Sequence, residues 1–306
     1  MARYLRFLSA AAVAMSVAAC SADSTGPALS SSTSLDKSNG GAGAGGTTSG
    51  GTIVVSESDI ARQIEDTPPT RSWVYYSRAT TPAVGTFVTG PGNPPLGVGS
   101  FEIRSPLETD KGTLFNFDHT GTLLSDIDAI SYATYRDPAS TATAGQLPSI
   151  NIQVDANGAA AGGFTTLVFE PIYNPSQGAI QDGVWQTWNG INGIWWSTRD
   201  INGVCANTCY VSWNDIVAAN PDATILGGFG VNQGSGNGGL IAATDALTLG
   251  VNGTTWIYNF EPFSAATDKD ACKNGGWQTL TTADGAPFRN QGDCVSYVNH
   301  VNHTSG

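Results

Sequence analysis

Gly112-Thr113-Leu114-Phe115-Asn116-Phe117-Asp118-His119 alternates. Leu114, Asn116 and Asp118 fall on one side of an extended chain, and Phe115, Phe117 and His119 on the other, because successive side chains of a strand point to opposite faces. The same texture repeats outward from this stretch. Upstream lie Thr52–Val55, the aromatic run Ser72–Ser77, Phe87-Val88 and Gly99–Arg104; a loop dense in Gly and Pro fills 89–97. Downstream lie Ile127–Tyr135, Ser149–Val154, Thr165–Glu170, Val184–Trp188, Ile194–Ser197, Ala223–Val231, Ala246–Leu249 and Thr254–Glu261. About a dozen short strands, punctuated by Gly, Pro, Asn and Asp, predict an all-β fold, a jelly-roll-like β-sandwich.

Helical signals are few. Ser212-Trp213-Asn214-Asp215 has the form of a capping box, with Ile216–Ala219 as the body and Asn220-Pro221 as the stop. This predicts one short helix at a corner between strands. Asp59–Ile64 reads as a helical turn stopped by Pro68-Pro69. After Pro262 the chain turns polar, with short elements expected at Asp268–Asn274 and Gln291–Asn299. A piece this small has little core of its own and needs a staple.

The N-terminus carries an export signal. Arg3 and Arg6 precede an apolar run, Leu8–Ala19, that is too short to span a membrane well. It ends Val17-Ala18-Ala19-Cys20, which resembles a bacterial lipobox; the resemblance implies a diacylglyceryl group on Cys20. Ser21 in place of Asp favours the outer membrane or cell surface. Residues 21–52 are nearly all Ser, Thr, Gly and Ala. They predict a disordered tether that holds a domain roughly 30 Å from its anchor. The expected organisation is therefore signal peptide 1–20, tether 21–52, sandwich 53–263 and a small C-terminal segment 264–306.

With Cys20 lipidated, four of the five cysteines remain. Outside the reducing cytoplasm these read as two disulfides, and the sequential pairing Cys205–Cys209 and Cys272–Cys294 is the simplest of three. A zinc site is the rival reading, but it wants a different spacing. The formal charge is −12, with Lys and Arg numbering only 13. That argues against nucleic acid as a partner and against electrostatic docking on anionic lipid.

Several kinds of chemistry are weakly supported. No nucleophile elbow, zinc-protease motif or phosphate loop occurs, and His119, His300 and His303 read as packing or solvated residues. Gly234–Gly239 matches a dinucleotide fingerprint in form only; it reads as a loop between strands, with no cofactor implied. Asp126, Asp128 and Asp155 are too sparse for a calcium loop, so no metal is expected. The enzymatic option is a pair of carboxylates, as glycoside hydrolysis requires. Its weak candidates are Glu170 and Glu261, set in matching contexts, Phe169-Glu170-Pro171 and Phe260-Glu261-Pro262.

Aromatics are the stronger signal. Trp185, Trp188, Trp195, Trp196 and Trp213 crowd beside the Cys205–Cys209 loop. Trp195 and Trp196 are neighbours, so one of them faces out of a strand. Exposed tryptophan among Gln186, Asn189, Asn192 and Asp200 is a surface for stacking on sugar rings, though large aromatics also fill sandwich cores.

Six stretches also carry a resemblance: Leu124–Ile127 with Ser131–Tyr135, Thr166–Pro171, Gly227–Gly236, and Cys272–Trp277 with Phe288–Val295. Together they look like a group of secreted bacterial β-proteins of unassigned function. The likeness spans roughly residues 70–300 and implies fold and location, not activity. Where related chains often have an Asp-rich turn, this one is rich in Ala and Gly, at 155–163. The leading expectation is a surface lipoprotein whose sandwich binds glycan or another extracellular polymer without catalysis. The alternatives are a glycan-active hydrolase or lyase, and a structural or adhesive envelope protein.

Overall fold

The structure is a computed structural model that describes residues 50–158, 160, 162–283 and 286–304. The expected signal peptide, Cys20 and nearly all of the expected tether lie outside the described residues. The first strands are β1 (Gly51–Val55), β2 (Ile60–Ile64), β3 (Trp73–Ser77), β4 (Val84–Thr89), β5 (Gly99–Ser105) and β6 (Gly112–Asn116). Next come β7 (Ile127–Arg136), β8 (Ser149–Asp155), β9 (Phe164–Phe169), β10 (Trp185–Asn189), β11 (Ile194–Ser197) and β12 (Val211–Ser212). Helix α1 (Trp213–Ala219) precedes the long strands β13 (Thr224–Gln233), β14 (Leu240–Val251) and β15 (Thr254–Phe260). The tail holds β16 (Ser264–Ala265), β17 (Leu280–Thr281) and α2 (Gln291–Thr304).

The fold is an all-β sandwich. One sheet has eight strands in the order β12-β11-β9-β8-β13-β6-β3-β2. The other has seven, with β1-β15-β14-β5-β4 along one path and β10-β7 on the far edge of β14. Alternation decides which residues meet between them. Leu114, Ile150, Ile152, Leu167, Phe169 and Phe229 come from the first sheet; Phe101, Ile103, Tyr132, Leu249 and Phe260 come from the second. Burying each such Ile, Leu or Phe is worth about 1.5–3 kcal/mol. The alternation predicted from Gly112–His119 places Leu114 in this core and Phe115 on the opposite face, in a small separate cluster with Val74 and Tyr76.

Strand β14 is the spine of the seven-stranded sheet. Leu240–Thr244 pair with β5, Leu247–Val251 pair with β15, and β7 runs along the other edge of both halves. A bulge between the halves sits at Asp245, followed by Ala246 with φ +52°. Bulges bend a strand and re-aim its side chains. Here the bend opens a fork between β5 and β15, and the Gly/Pro loop after β4 fills it.

Helix α1 starts as its capping box predicts. Ser212 Oγ accepts from Asp215 N at 3.2 Å and donates to the Asp215 carboxylate at 2.6 Å, while Trp213 and Ile216 are buried. Other local expectations fail. Ile60–Ile64 is a strand, not a helical turn, because it pairs in parallel with Trp73–Ser77. Residues 269–275 are turns, not helix, and the second helix runs from Gln291 to Thr304, longer than the sequence indicated. The first strand begins at Gly51, inside the expected tether. The C-terminal segment has its own small core of Ala266, Cys272, Phe288, Cys294 and Val298, and both expected disulfides, Cys205–Cys209 and Cys272–Cys294, are formed.

Candidate functional site

The five tryptophans divide. Trp188, Trp195 and Trp213 are core residues, which removes them from the expected ligand surface. Strand alternation turns Trp188 and Trp195 inward, and their indole N–H groups donate within the protein, to Thr134 Oγ1 and the Gly190 carbonyl, each at 2.8 Å. Trp213 packs against Trp195 with ring centroids 5.3 Å apart. Trp185 is half-buried, tilted against Tyr135, and donates to the Pro91 carbonyl at 2.8 Å, so it pins the Gly/Pro loop. Trp196 lies on the outer face of the eight-stranded sheet, half-buried, and donates to Glu170 Oε2 at 2.9 Å.

Glu170 follows β9 and begins a short turn whose placement depends on Asn174. The Asn174 amide donates to the Glu170 carbonyl at 2.9 Å and to the Ile194 carbonyl at 3.2 Å, and it accepts from Ile194 N at 2.8 Å. The turn is thereby stitched to β11. It presents Ile172 and Tyr173 to solvent, 47% and 39% exposed. Tyr173 meets Tyr210, itself 41% exposed, with ring centroids 4.5 Å apart. Tyr210 directly follows the Cys205–Cys209 hairpin, where Cys209 N donates to the Cys205 carbonyl. Burial pushes the Glu170 carboxyl above its ordinary range, and the Trp196 N–H partly restores the charged form.

Glu261 occupies a different place. It follows β15 in the other sheet, fully buried, and accepts from Val98 N at 3.0 Å. Asp245, at the bulge of β14, is equally buried and accepts from Leu96 N and Phe260 N, each at 3.0 Å. Both are raised by desolvation, Glu261 to about 7 and Asp245 to about 6, against the opposing pull of backbone N–H donors. Gly97, at φ +54°, and Gly99 lie so close to the Glu261 carboxylate that a Cβ on either would collide with it. These acids hold the loop backbone in the fork. The loop borders an open cleft of about 460 Å³, lined by its own residues 89–94 with Gly97 and Val98.

The two expected carboxylates are therefore not brought together. The acid whose charge bears on Glu261 is Asp245. Neither glutamate is a solvated strand end. His119 is buried, 2.7 Å from the Tyr258 hydroxyl, and lowered by desolvation; His300 bonds its own helix at the Ser296 carbonyl. The side chain of His303 lies outside the described residues. Gly234–Gly239 links β13 to β14, and its Gly236 and Gly239 amides donate to the Glu108 and Ser105 carbonyls. Asp128 and Asp155 accept from backbone amides, of Gly253 and Asn157. Among the described residues there is no cluster of three or more His, Cys, Asp or Glu suited to a metal.

Sequence reasoning missed Tyr173, Tyr210, Asn174 and Asp245. The tyrosines stand outside strands, so no alternation marks them, and only the pairing of Asn174 with β11 fixes the turn. No known family model matches this chain, and no curated protein or solved structure is significantly similar to it.

Proposed function

We propose that this chain is an exported, lipid-anchored surface protein whose sandwich binds an extracellular glycan without catalysis. The observation that carries the reading is the exposed Tyr173–Tyr210 pair beside Trp196 and Glu170. Aromatic faces next to fixed polar groups stack on the apolar faces of sugar rings while the polar groups take ring hydroxyls. The lipobox at Cys20 and the disulfides suit an oxidising location outside the cytoplasm.

The test is binding of the full-length chain in detergent to an array of soluble and insoluble glycans. The Tyr173→Ala and Tyr210→Ala variants are expected to weaken binding by about tenfold each, in line with roughly 0.5–1.5 kcal/mol for an aromatic contact beyond its buried area. Unchanged binding in both variants, or no binding by the parent chain, overturns the reading. Anchoring is tested separately: Cys20→Ala is expected to lose palmitate label and to leave the membrane fraction.

A further inference from the structure

Glu170 is an acid without a counterion. Its Oε2 accepts from the Trp196 indole at 2.9 Å. Among the described residues no other group donates to the carboxylate, and no basic side chain pairs with it. Its Oε1 still reaches solvent, unlike Oε2 of Glu261, which is sealed in without a partner. The sequence withholds cations from this region. Between Arg136 and Lys269 the only basic residue is Arg199, against ten acids. The Arg199 guanidinium stands 4.7 Å over the Phe164 ring and donates to the Phe164 carbonyl. Phe164 begins β9 and Glu170 follows its end, so the two are about 20 Å apart at ~3.3 Å per residue.

Three aromatic side chains converge on this acid. Trp196 touches it directly. Tyr173 follows it within one short turn, its N–H donating to the Glu170 carbonyl at 3.1 Å. Tyr210 stands beside Trp196, because Trp195 pairs with Val211 and the register extends by one residue. The Tyr173 and Tyr210 rings are inclined at 41° to each other, and both are exposed. Aromatic faces attract a cation, and a partly desolvated carboxylate gains most from a partner that brings the opposite charge with hydrogen-bond donors. A hydroxyl supplies the donor without the charge.

Resting on the glycan-binding reading, we infer that this site takes a glycan with free amino groups, the ammonium of an unacetylated amino sugar seated between the Glu170 carboxylate and the tyrosine rings. The ammonium donates to Oε1, and the apolar face of a sugar ring stacks on Tyr173 or Tyr210. A net charge of −12 draws such a polycation toward the protein and repels polyanionic glycans. A lysine-rich peptide is the competing occupant.

The test measures binding of the full-length chain to three β-1,4-linked hexasaccharides that differ only in one substituent per ring: glucose with a hydroxyl, N-acetylglucosamine with an acetamide, and glucosamine with an ammonium, at a pH where the amines are protonated. The glucosamine hexamer is expected to bind more tightly than the other two by about tenfold or more. Glu170→Gln keeps the shape and the acceptor for Trp196 but removes the charge. It is expected to erase that preference while binding of the glucose hexamer, far-ultraviolet dichroism and Tm stay near the parent's. The variant removes a single charge from a net −12, so a general attraction for polycations survives it. A preference that persists in Glu170→Gln therefore overturns the inference. Equal binding of the three hexamers by the parent also overturns it and leaves the proposed function standing. Hexalysine bound as tightly as the glucosamine hexamer, and released by Glu170→Gln, assigns the site to a cationic peptide and overturns the inference. No binding of any glycan by the parent overturns both readings.

Discussion

Phe169-Glu170-Pro171 and Phe260-Glu261-Pro262 are the same tripeptide at the ends of two strands, one in each sheet. In both, the phenylalanine is fully buried in the common core. The glutamates part company. Glu261 faces a fork in its own sheet, opened by the β14 bulge, and holds a loop through backbone N–H groups. Glu170 faces the sheet's outer side, where an indole N–H takes it and two tyrosines stand nearby. A local sequence sets which way a side chain leaves the strand; its role is set by whatever the topology brings to that spot. One glutamate belongs to stability and the other to the surface proposed for binding.

The largest expected effect falls on the buried glutamate. Glu261→Ala leaves the Val98 amide without its acceptor in a dry site, and it is expected to lower unfolding free energy by about 2–4 kcal/mol in urea titration, with loop 89–99 released to proteolysis. Gly97→Val, which drives a side chain into that carboxylate from a left-handed backbone position, is expected to act in the same direction. A loss under 0.5 kcal/mol for both, the level of an ordinary surface change, breaks the comparison.

Next in size is a stability difference with pH. The folded values of Glu261, about 7, and Asp245, about 6, lie above the unfolded carboxylate values of about 3.9–4.3. The folded state therefore holds protons that the unfolded state has released. Their stabilising contribution is full below pH 4 and is lost as pH rises through 6 and 7. His119 works the other way, but only below its unfolded value near 6.5. Between pH 6.5 and 8 the acids act without it, and Tm is expected to fall across that window. Glu261→Gln is expected to flatten much of the fall, whereas Glu170→Gln, one hydrogen bond at a half-buried site, is expected to change stability by under about 1 kcal/mol.

Of the two disulfides, the Cys205–Cys209 hairpin is expected to matter less to folding. Its short span constrains the unfolded chain less than the 22-residue separation of Cys272 and Cys294. Replacing Cys205 and Cys209 by Ser is expected to cost less stability than replacing the other pair. It is also expected to weaken glycan binding several-fold by loosening Tyr210. Equal stability costs with no change in binding contradict the hairpin's positioning role.

Much of this fold could be read from alternation. Gly112–His119 and Thr254–Glu261 announce their faces, and the Ser212 capping box announces α1. Ile60–Ile64 carries no local mark of a strand, because its parallel pairing with Trp73–Ser77 is what makes it one. At the site, alternation correctly requires one of Trp195 and Trp196 to face outward, but it does not say which. It is silent on Tyr173 and Tyr210, whose turns are fixed by Asn174 and by a disulfide. Asp245 was invisible because nothing local marks it as the bulge; the pairing of β14 with two successive neighbours creates it.

Amide hydrogen exchange of the full-length chain, with and without a bound hexasaccharide, tests the division of the two glutamate sites most directly. The account predicts new protection in β11, in the turn at 171–174 and in the hairpin at 205–210, with loop 89–99 unchanged. Protection concentrated in loop 89–99 and around Glu261, with the outer face unaffected, would contradict it.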